Sequence, residues 1–252
     1  MPEVPPDLID RLAAADHVAA LTGAGISAES GIPTFRDPGG IWDEFDPQEL
    51  ANVDAFLDNP KLVQAWYQHR RQIVQEAEPN AGHQALVALE RHVDRVSVIT
   101  QNVDDLHHRA GSRRVVELHG NITRSYCMDC ERDADPDTVD AAIQNGEPAQ
   151  CPDCGGLIRP DVVWFGEMLP PAAVDAARSA AHAADVFFSI GTSAVVYPAA
   201  QLPVTARQAG AYVVEVNPDR TPLSDDVDAF LQREAGTALP AIVQALNEAK
   251  KE

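Results

Sequence analysis

Gly23-Ala24-Gly25-Ile26-Ser27-Ala28-Glu29-Ser30-Gly31-Ile32-Pro33-Thr34-Phe35-Arg36 begins where the apolar run His17-Val18-Ala19-Ala20-Leu21-Thr22 stops. A strand that runs into a glycine turn is where an α/β protein places a nucleotide. Gly23 and Gly25 permit a tight turn and a close approach of backbone to ligand. A helix beginning near Ser27 would aim its unpaired N–H groups at a pyrophosphate. The Gly-Ala-Gly triplet is not the full GxGxxG fingerprint, and glycine also serves such turns for steric reasons alone. The rest of the chain has to decide.

Working outward, strand-like runs occur at Val96–Thr100, Val115–Leu118, Val186–Ile190 and Tyr212–Val216. Several are unbroken β-branched or aromatic stretches, as expected of strands covered on both faces. Helical patterns lie between them at about 80–92, 170–183 and 198–209, with a last helix after Gly236-Thr237. The alternation predicts an α/β fold with a doubly wound parallel, Rossmann-like sheet. Gly25, Gln101, His119, Gly191 and Asn217 then follow strand C-termini, where functional loops belong.

Two segments interrupt the alternation. Residues 1–39, 80–123 and 159–252 are expected to form the nucleotide-binding domain. Residues 40–79 read as a helical insertion and 124–158 as a cysteine-bearing module. Together the two insertions predict a small domain facing the sheet across a cleft.

The 252 residues suffice for a substantial core, and 45% hydrophobic content fits a folded chain. No apolar run approaches a membrane span, and Met1–Asp7 lacks the basic start and apolar core of a signal peptide. The expectation is a cytoplasmic protein with no membrane partner. The net charge is −20, and the only lysines are Lys61, Lys250 and Lys251. Such a surface repels nucleic acid. It suits basic protein segments or a salty cytoplasm in which self-repulsion is screened, and the scarcity of lysine favours the second.

All four cysteines fall in two C-x2-C pairs, Cys127/Cys130 and Cys151/Cys154, separated by 20 residues. That doubled spacing is the pattern of a closed, structural four-thiolate zinc site. Two disulfides are the alternative, which a cytoplasmic chain of this size rarely uses. A redox pair would want one C-x2-C beside a strand-helix turn. A zinc ribbon can also bind nucleic acid, but Asp129, Glu131, Asp133, Asp135, Asp137 and Asp153 oppose that here.

Thr100-Gln101-Asn102-Val103-Asp104-Asp105-Leu106-His107 places an amide pair and a carboxylate at a strand end, suited to ribose hydroxyls or a carboxamide. The next strand ends in Leu118-His119-Gly120, which makes His119 a general-base candidate. His107 and His108 read as helix residues.

GAGIS at 23–27, GIPTFR at 31–36, TQNVDDLH at 100–107, LHG at 118–120, the doubled C-x2-C, WFGE at 164–167 and GTS at 191–193 stand in sirtuin order. From about residue 17 to residue 245 the chain resembles an NAD-dependent protein-lysine deacylase. By this resemblance Gly23, Ala24, Gly25, Ile26, Phe35 and Arg36 belong to the cofactor loop. Ile32, Asn102 and Asp104 line the nicotinamide pocket, and Gln101 and His119 face its ribose. Gly191, Thr192, Ser193, Asn217 and Ala235 surround the adenosine. The family reaction has the acyl-lysine oxygen attack the ribose as nicotinamide leaves. His119, with Asn102 beside it in the catalytic set, then serves as general base on a ribose hydroxyl. The products are free lysine and O-acyl-ADP-ribose. Val163, Trp164, Phe165 and Gly166 resemble the segment that takes the substrate as an added strand, Trp164 and Phe165 walling the lysine tunnel. Plain core packing is the simpler account of those aromatics.

Tyr67 and Arg70, spaced i, i+3, project from one helical face. They resemble the Tyr-x-x-Arg of the sirtuin class III subgroup that removes dicarboxylic acyl groups, with Ala51 as the small residue widening the pocket. Ala28-Glu29-Ser30 resembles that subgroup too. The expected activity is desuccinylation and demalonylation alongside deacetylation, on acyl-lysine-bearing proteins. The alternatives are a protein ADP-ribosyltransferase using the same cleft, and a non-catalytic ADP-ribose-binding module.

Overall fold

The computed structural model describes residues 4–33 and 50–250. In chain order the elements are α1 (Pro6–Ala14), β1 (His17–Thr22), α2 (Val53–Asp58), α3 (Pro60–Glu76), α4 (Ala81–Leu89), β2 (Arg95–Thr100), α5 (Leu106–Ala110) and β3 (Val115–Glu117). Then come β4 (Gly120–Cys127), β5 (Asp133–Ala134), α6 (Pro136–Gln144), β6 (Ile158–Val162), α7 (Pro171–His182), β7 (Val186–Ile190), α8 (Leu202–Gln208), β8 (Tyr212–Val216), β9 (Ala229–Leu231) and α9 (Ala235–Ala249). Proline opens α1, α3, α6 and α7, where its missing N–H costs nothing. Asparagines supply caps: the Asn52 side chain accepts from Ala55 N–H at 2.7 Å, and Asn80 accepts from Gly82 N–H at 2.9 Å.

Six strands make one parallel sheet in the order β3-β2-β1-β7-β8-β9. Chain progression runs outward in both directions from the β1–β7 pair, so the topological switch point lies between those strands. Their burial explains the unbroken apolar runs. Val18, Ala20, Phe188, Ile190 and Val214 pack on Leu12 of α1, Leu86 of α4 and Leu239 and Ile242 of α9. The intervening Ala19, Leu21, Phe187 and Val213 pack on Ala177 and Ala181 of α7 and Ala206 of α8. Both faces are therefore covered, as the doubly wound expectation requires. Truncating Phe187 or Phe188 to alanine would cost about 3–5 kcal/mol.

The second sheet is small and antiparallel, in the order β5-β4-β6. It carries the cysteines at its end. Gln64 of α3 ties the helical insertion to it: its Nε2 donates to the Ala149 and Ile158 carbonyls at 3.1 and 2.7 Å, and its Oε1 accepts from Ala149 N–H at 2.8 Å. Arg71 of the same helix pairs with Asp140 of α6 at 3.2 Å.

The expected helix near Ser27 is absent. Two 3-10 turns, Ala24–Ile26 and Ala28–Ser30, stand there instead, closed by Gly31 at φ 82°. The cause is a long-range contact: Gly25 N–H donates to the Gly191 carbonyl at 2.8 Å, and Ser27 is drawn toward Asp104. The last helix starts at Ala235, before the expected point, because the Glu29 carboxylate accepts from Gly236 N–H at 2.7 Å and takes the place of a local cap. Residues 198–209 divide into a 3-10 turn, Ala199–Gln201, and α8.

Candidate active site

The loops after β1 and β7 meet at the switch point. A Cβ on Gly25 would stand 2.7 Å from Gly191 Cα, and one on Gly191 would stand 2.5 Å from the Ile26 nitrogen. Gly191 also holds φ at 57°, in the left-handed region. These glycines are required by one another, which bears out the steric reason given for them in the sequence. Around the joined loops stand neutral donors. Gln101 Nε2 donates to Thr192 Oγ1 at 3.0 Å, and Asn217 Nδ2 to the Thr192 carbonyl at 3.4 Å. Ser193 and Ala24 are half-buried beside them in sequence, and Ala235 is buried at the start of α9. A crevice of backbone amides, amide side chains and hydroxyls is chemistry that fits a dinucleotide. Phe35 and Arg36 lie outside the described residues.

Behind this crevice the end of β2 carries a connected polar set. Asn102 Nδ2 donates to the Gly23 carbonyl and to Ser27 Oγ, both at 3.1 Å, and Ser27 Oγ donates to Asp104 Oδ2 at 2.6 Å. Asp104 Oδ1 accepts from Leu106 N–H at 3.0 Å. Burial pushes the Asp104 carboxyl up from its ordinary value, while the bonds from Ser27 and Leu106 pull it back. Ser27 is the residue that motif reading left without a role; its polar side chain in an apolar turn was the available signal. Ile32 packs at the edge of the neighbouring apolar cluster that holds Ala51, Trp164 and Val103.

His119 follows β3 and is half-buried. Its Nδ1 lies 2.8 Å from the Gln101 carbonyl. A carbonyl can only accept, so Nδ1 carries the proton and Nε2 keeps its lone pair. Burial lowers the His119 pKa, with the Gln101 bond acting in the opposite direction. The imidazole is thus a neutral base at neutral pH.

Next to it runs the segment after β6. The N–H groups of Val163, Trp164 and Phe165 donate to the His119 carbonyl (3.0 Å), the Glu167 carboxylate (2.8 Å) and the Ala51 carbonyl (2.9 Å). All three donors are engaged, so an added strand would have to use carbonyls of this segment and the Gly166 N–H. Arg159 grips Glu167 through two bonds of 2.6 and 2.8 Å and lies 3.7 Å over the Trp164 ring. Trp164 is buried among Phe56, Tyr67 and Ile122, whereas Phe165 is 57% exposed. Trp164 is thus a packed core residue of this cluster, and Phe165 is the exposed one of the pair.

Tyr67 sits in the same cluster with Ala51. Its hydroxyl accepts from Trp164 Nε1 at 2.9 Å. Arg70 stands one turn on, its guanidinium 4.7 Å from the Trp66 ring centre and 5.4 Å from that of Tyr67, and it is hydrogen-bonded to the Tyr67 hydroxyl. Burial raises the Tyr67 pKa, so the phenol keeps its proton. Ala51, Tyr67 and Trp164 thus share one apolar cluster, with Arg70 over the ring of Tyr67.

The four cysteine sulfurs all lie within 4.8 Å of one another. Cys127 and Cys154 are 3.4 Å apart, Cys130 and Cys151 3.8 Å. A disulfide needs about 2.05 Å. A tetrahedron with Zn–S near 2.3 Å has edges of about 3.8 Å. The cluster fits a single zinc ion held by four thiolates, with no open position for chemistry. His107 and His108 lie on α5, as expected; His107 Nε2 is 2.9 Å from Thr22 Oγ1 and His108 is exposed.

Residues 23–198 match the profile of the Sir2 family. The chain belongs to the Sir2 family. An NAD-dependent protein deacylase from Mycobacterium tuberculosis is 51% identical over 234 residues, covering 91% of this chain and 98% of the relative. A Sir2 homologue solved in complex with NAD superposes with a TM-score of 0.90 at 44% identity, over 98% of this chain and 95% of the other. A Sir2 variant bound to a deacetylated p53 peptide and 3'-O-acetyl ADP-ribose gives a TM-score of 0.88 at 35% identity, over 95% and 97% of the two chains.

Proposed function

We propose that this Sir2-family protein is a cytoplasmic NAD-dependent protein-lysine deacylase that removes succinyl and malonyl groups as well as acetyl. The observation that carries the activity is the tautomer of His119, whose Nε2 is left basic beside the nucleotide crevice. Bound NAD supplies an electrophilic ribose carbon when its bond to nicotinamide breaks. The residues of this chain do the rest. His119 Nε2 accepts a proton from a ribose hydroxyl, help typically worth about 10²–10⁴-fold. Asn102, fixed by Gly23 and Ser27, and Asp104, held by Ser27 and Leu106, orient polar groups at the nicotinamide end. Trp164 lines the lysine path, and Tyr67 and Arg70 hold a distal carboxylate through charge-assisted bonds.

The deacylase relatives support this reading over ADP-ribosyl transfer. Nicotinamide release, followed with matched acetyl-lysine and succinyl-lysine peptides in high salt, tests it. Release should require an acyl peptide and vanish in His119→Ala. Release without any acyl peptide would move the assignment to ADP-ribosyl transfer or NAD hydrolysis.

A further inference from the structure

We propose that a cavity at the far end of the main sheet, away from the glycine loops, binds a small phosphorylated ligand. The cavity measures about 390 Å³ and is lined by His17, Arg95, Ser97, Arg114, Ser179 and Ala180. His17 and Arg95 are the first residues of β1 and β2 and pair directly across them. Ser179 and Ala180 belong to α7. The six residues of β1 separate this site from Gly23, roughly 20 Å at about 3.3 Å per residue. It does not overlap the nucleotide crevice.

Some exposed arginines sit against a carboxylate, as Arg113, Arg124, Arg132 and Arg220 do, while Arg91, Arg178 and Arg233 have no ion pair among the described residues. Arg95 and Arg114 have no such partner among the described residues either, although both line one concavity. What sets Arg95 and Arg114 apart is that the two converge on the buried His17. The nearby acid is Asp185, whose Oδ2 accepts the backbone N–H groups of Asp16 and His17, each at 2.9 Å. Its negative charge also acts on His17, opposing that of Arg95 and Arg114. His17 is 5% exposed, and its Nε2 lies 2.9 Å from Ser97 Oγ.

Two guanidiniums of like charge facing one space are relieved by an oxyanion, which arginine forks bind bidentately. Ser97 and Ser179 add hydroxyl donors. The depression is open to solvent and holds more than a bare phosphate, leaving room for a short organic body on its outer side.

Calorimetric titration of the full chain tests this, with inorganic phosphate and ribose 5-phosphate as probes at constant ionic strength. Saturating ADP-ribose is included so that the nucleotide crevice contributes nothing. Wild type should bind, and Arg95→Gln/Arg114→Gln should bind at least about tenfold more weakly, the loss expected for one charge-assisted hydrogen bond or more. Turnover without phosphate should stay unchanged in the variant, since neither residue touches the site chemistry. Tighter binding of the sugar phosphate assigns the ligand as a phosphomonoester; equal binding assigns inorganic phosphate. Independently of any variant, the His17 ring resonances of the wild type should shift on titration. Absence of heat and shift in the wild type, or undiminished affinity in a folded variant, overturns the site.

Discussion

Trp164 donates its indole N–H to the Tyr67 hydroxyl at 2.9 Å, joining the segment beside His119 to the helix that carries Arg70. Both side chains are almost fully buried. Tyr67→Phe leaves the indole N–H without an acceptor, and should lower unfolding free energy by about 1–3 kcal/mol. Denaturant unfolding reads this directly; an unchanged midpoint would mean that the bond contributes nothing.

Arg70→Met tests the carboxylate clamp while keeping the apolar stem against Trp66 and Tyr67. Loss of a charge-assisted bond of about 1.5–3 kcal/mol predicts a decrease of about 10- to 150-fold in kcat/KM for succinyl-lysine. Acetyl-lysine turnover should hold. An equal loss for both acyl groups removes the clamp from the account.

The His119 imidazole has to be neutral to act as base. Because burial lowers its pKa below the ordinary 6.5, kcat/KM should remain flat as pH falls through 6.5 and decline only below it. A pH profile with matched peptide measures the acid limb. A limb centred above 6.5 would assign the base to another group.

One zinc per chain is the expected stoichiometry by metal analysis of the purified protein. Cys151→Ser should lose the metal and unfold the β4–β6 module at a lower temperature, since the ion's binding energy is folding energy for such a knuckle. Protein that is free of zinc yet equally stable contradicts a structural ion.

His83 and His107 lie with tilted rings whose centres are 4.8 Å apart, and burial takes their pKa values down to about 4 and about 3. A histidine depressed in this way stabilises the fold above its unfolded pKa, and that contribution is lost as pH falls from 6.5 toward 4. His83→Gln keeps the capping position of α4 but removes the titration. The stability advantage of wild type over His83→Gln should shrink by up to about 1.4 kcal/mol per pH unit below the ordinary histidine value. A constant difference across that range would contradict the assignment.

The parallel sheet was legible because its strands are apolar on both faces, and the cysteine cluster because four thiolates at doubled spacing have few other uses. His119 was legible from its place after a strand. The 3-10 turns after Gly23 were not, since they are imposed by Gly191, far along the chain. Strands β4 and β6 were missed for a different reason: Asn121, Thr123, Arg124 and Ser125 in one, and Arg159, Pro160 and Asp161 in the other, break any alternating pattern. The grip of Arg159 on Glu167 and the reach of Gln64 into the cysteine module are likewise contacts between distant segments.

Gln64 and Arg71 flank Tyr67 and Arg70 on α3, and both are anchored in the cysteine module. The Tyr67–Arg70 pair that would gauge acyl length is therefore mechanically part of the metal-bearing lobe. The residues that would handle the nucleotide are seated in the other lobe. A change at Asp140 or around Ala149 therefore reaches Tyr67 and Arg70 through α3 without touching the residues around His119.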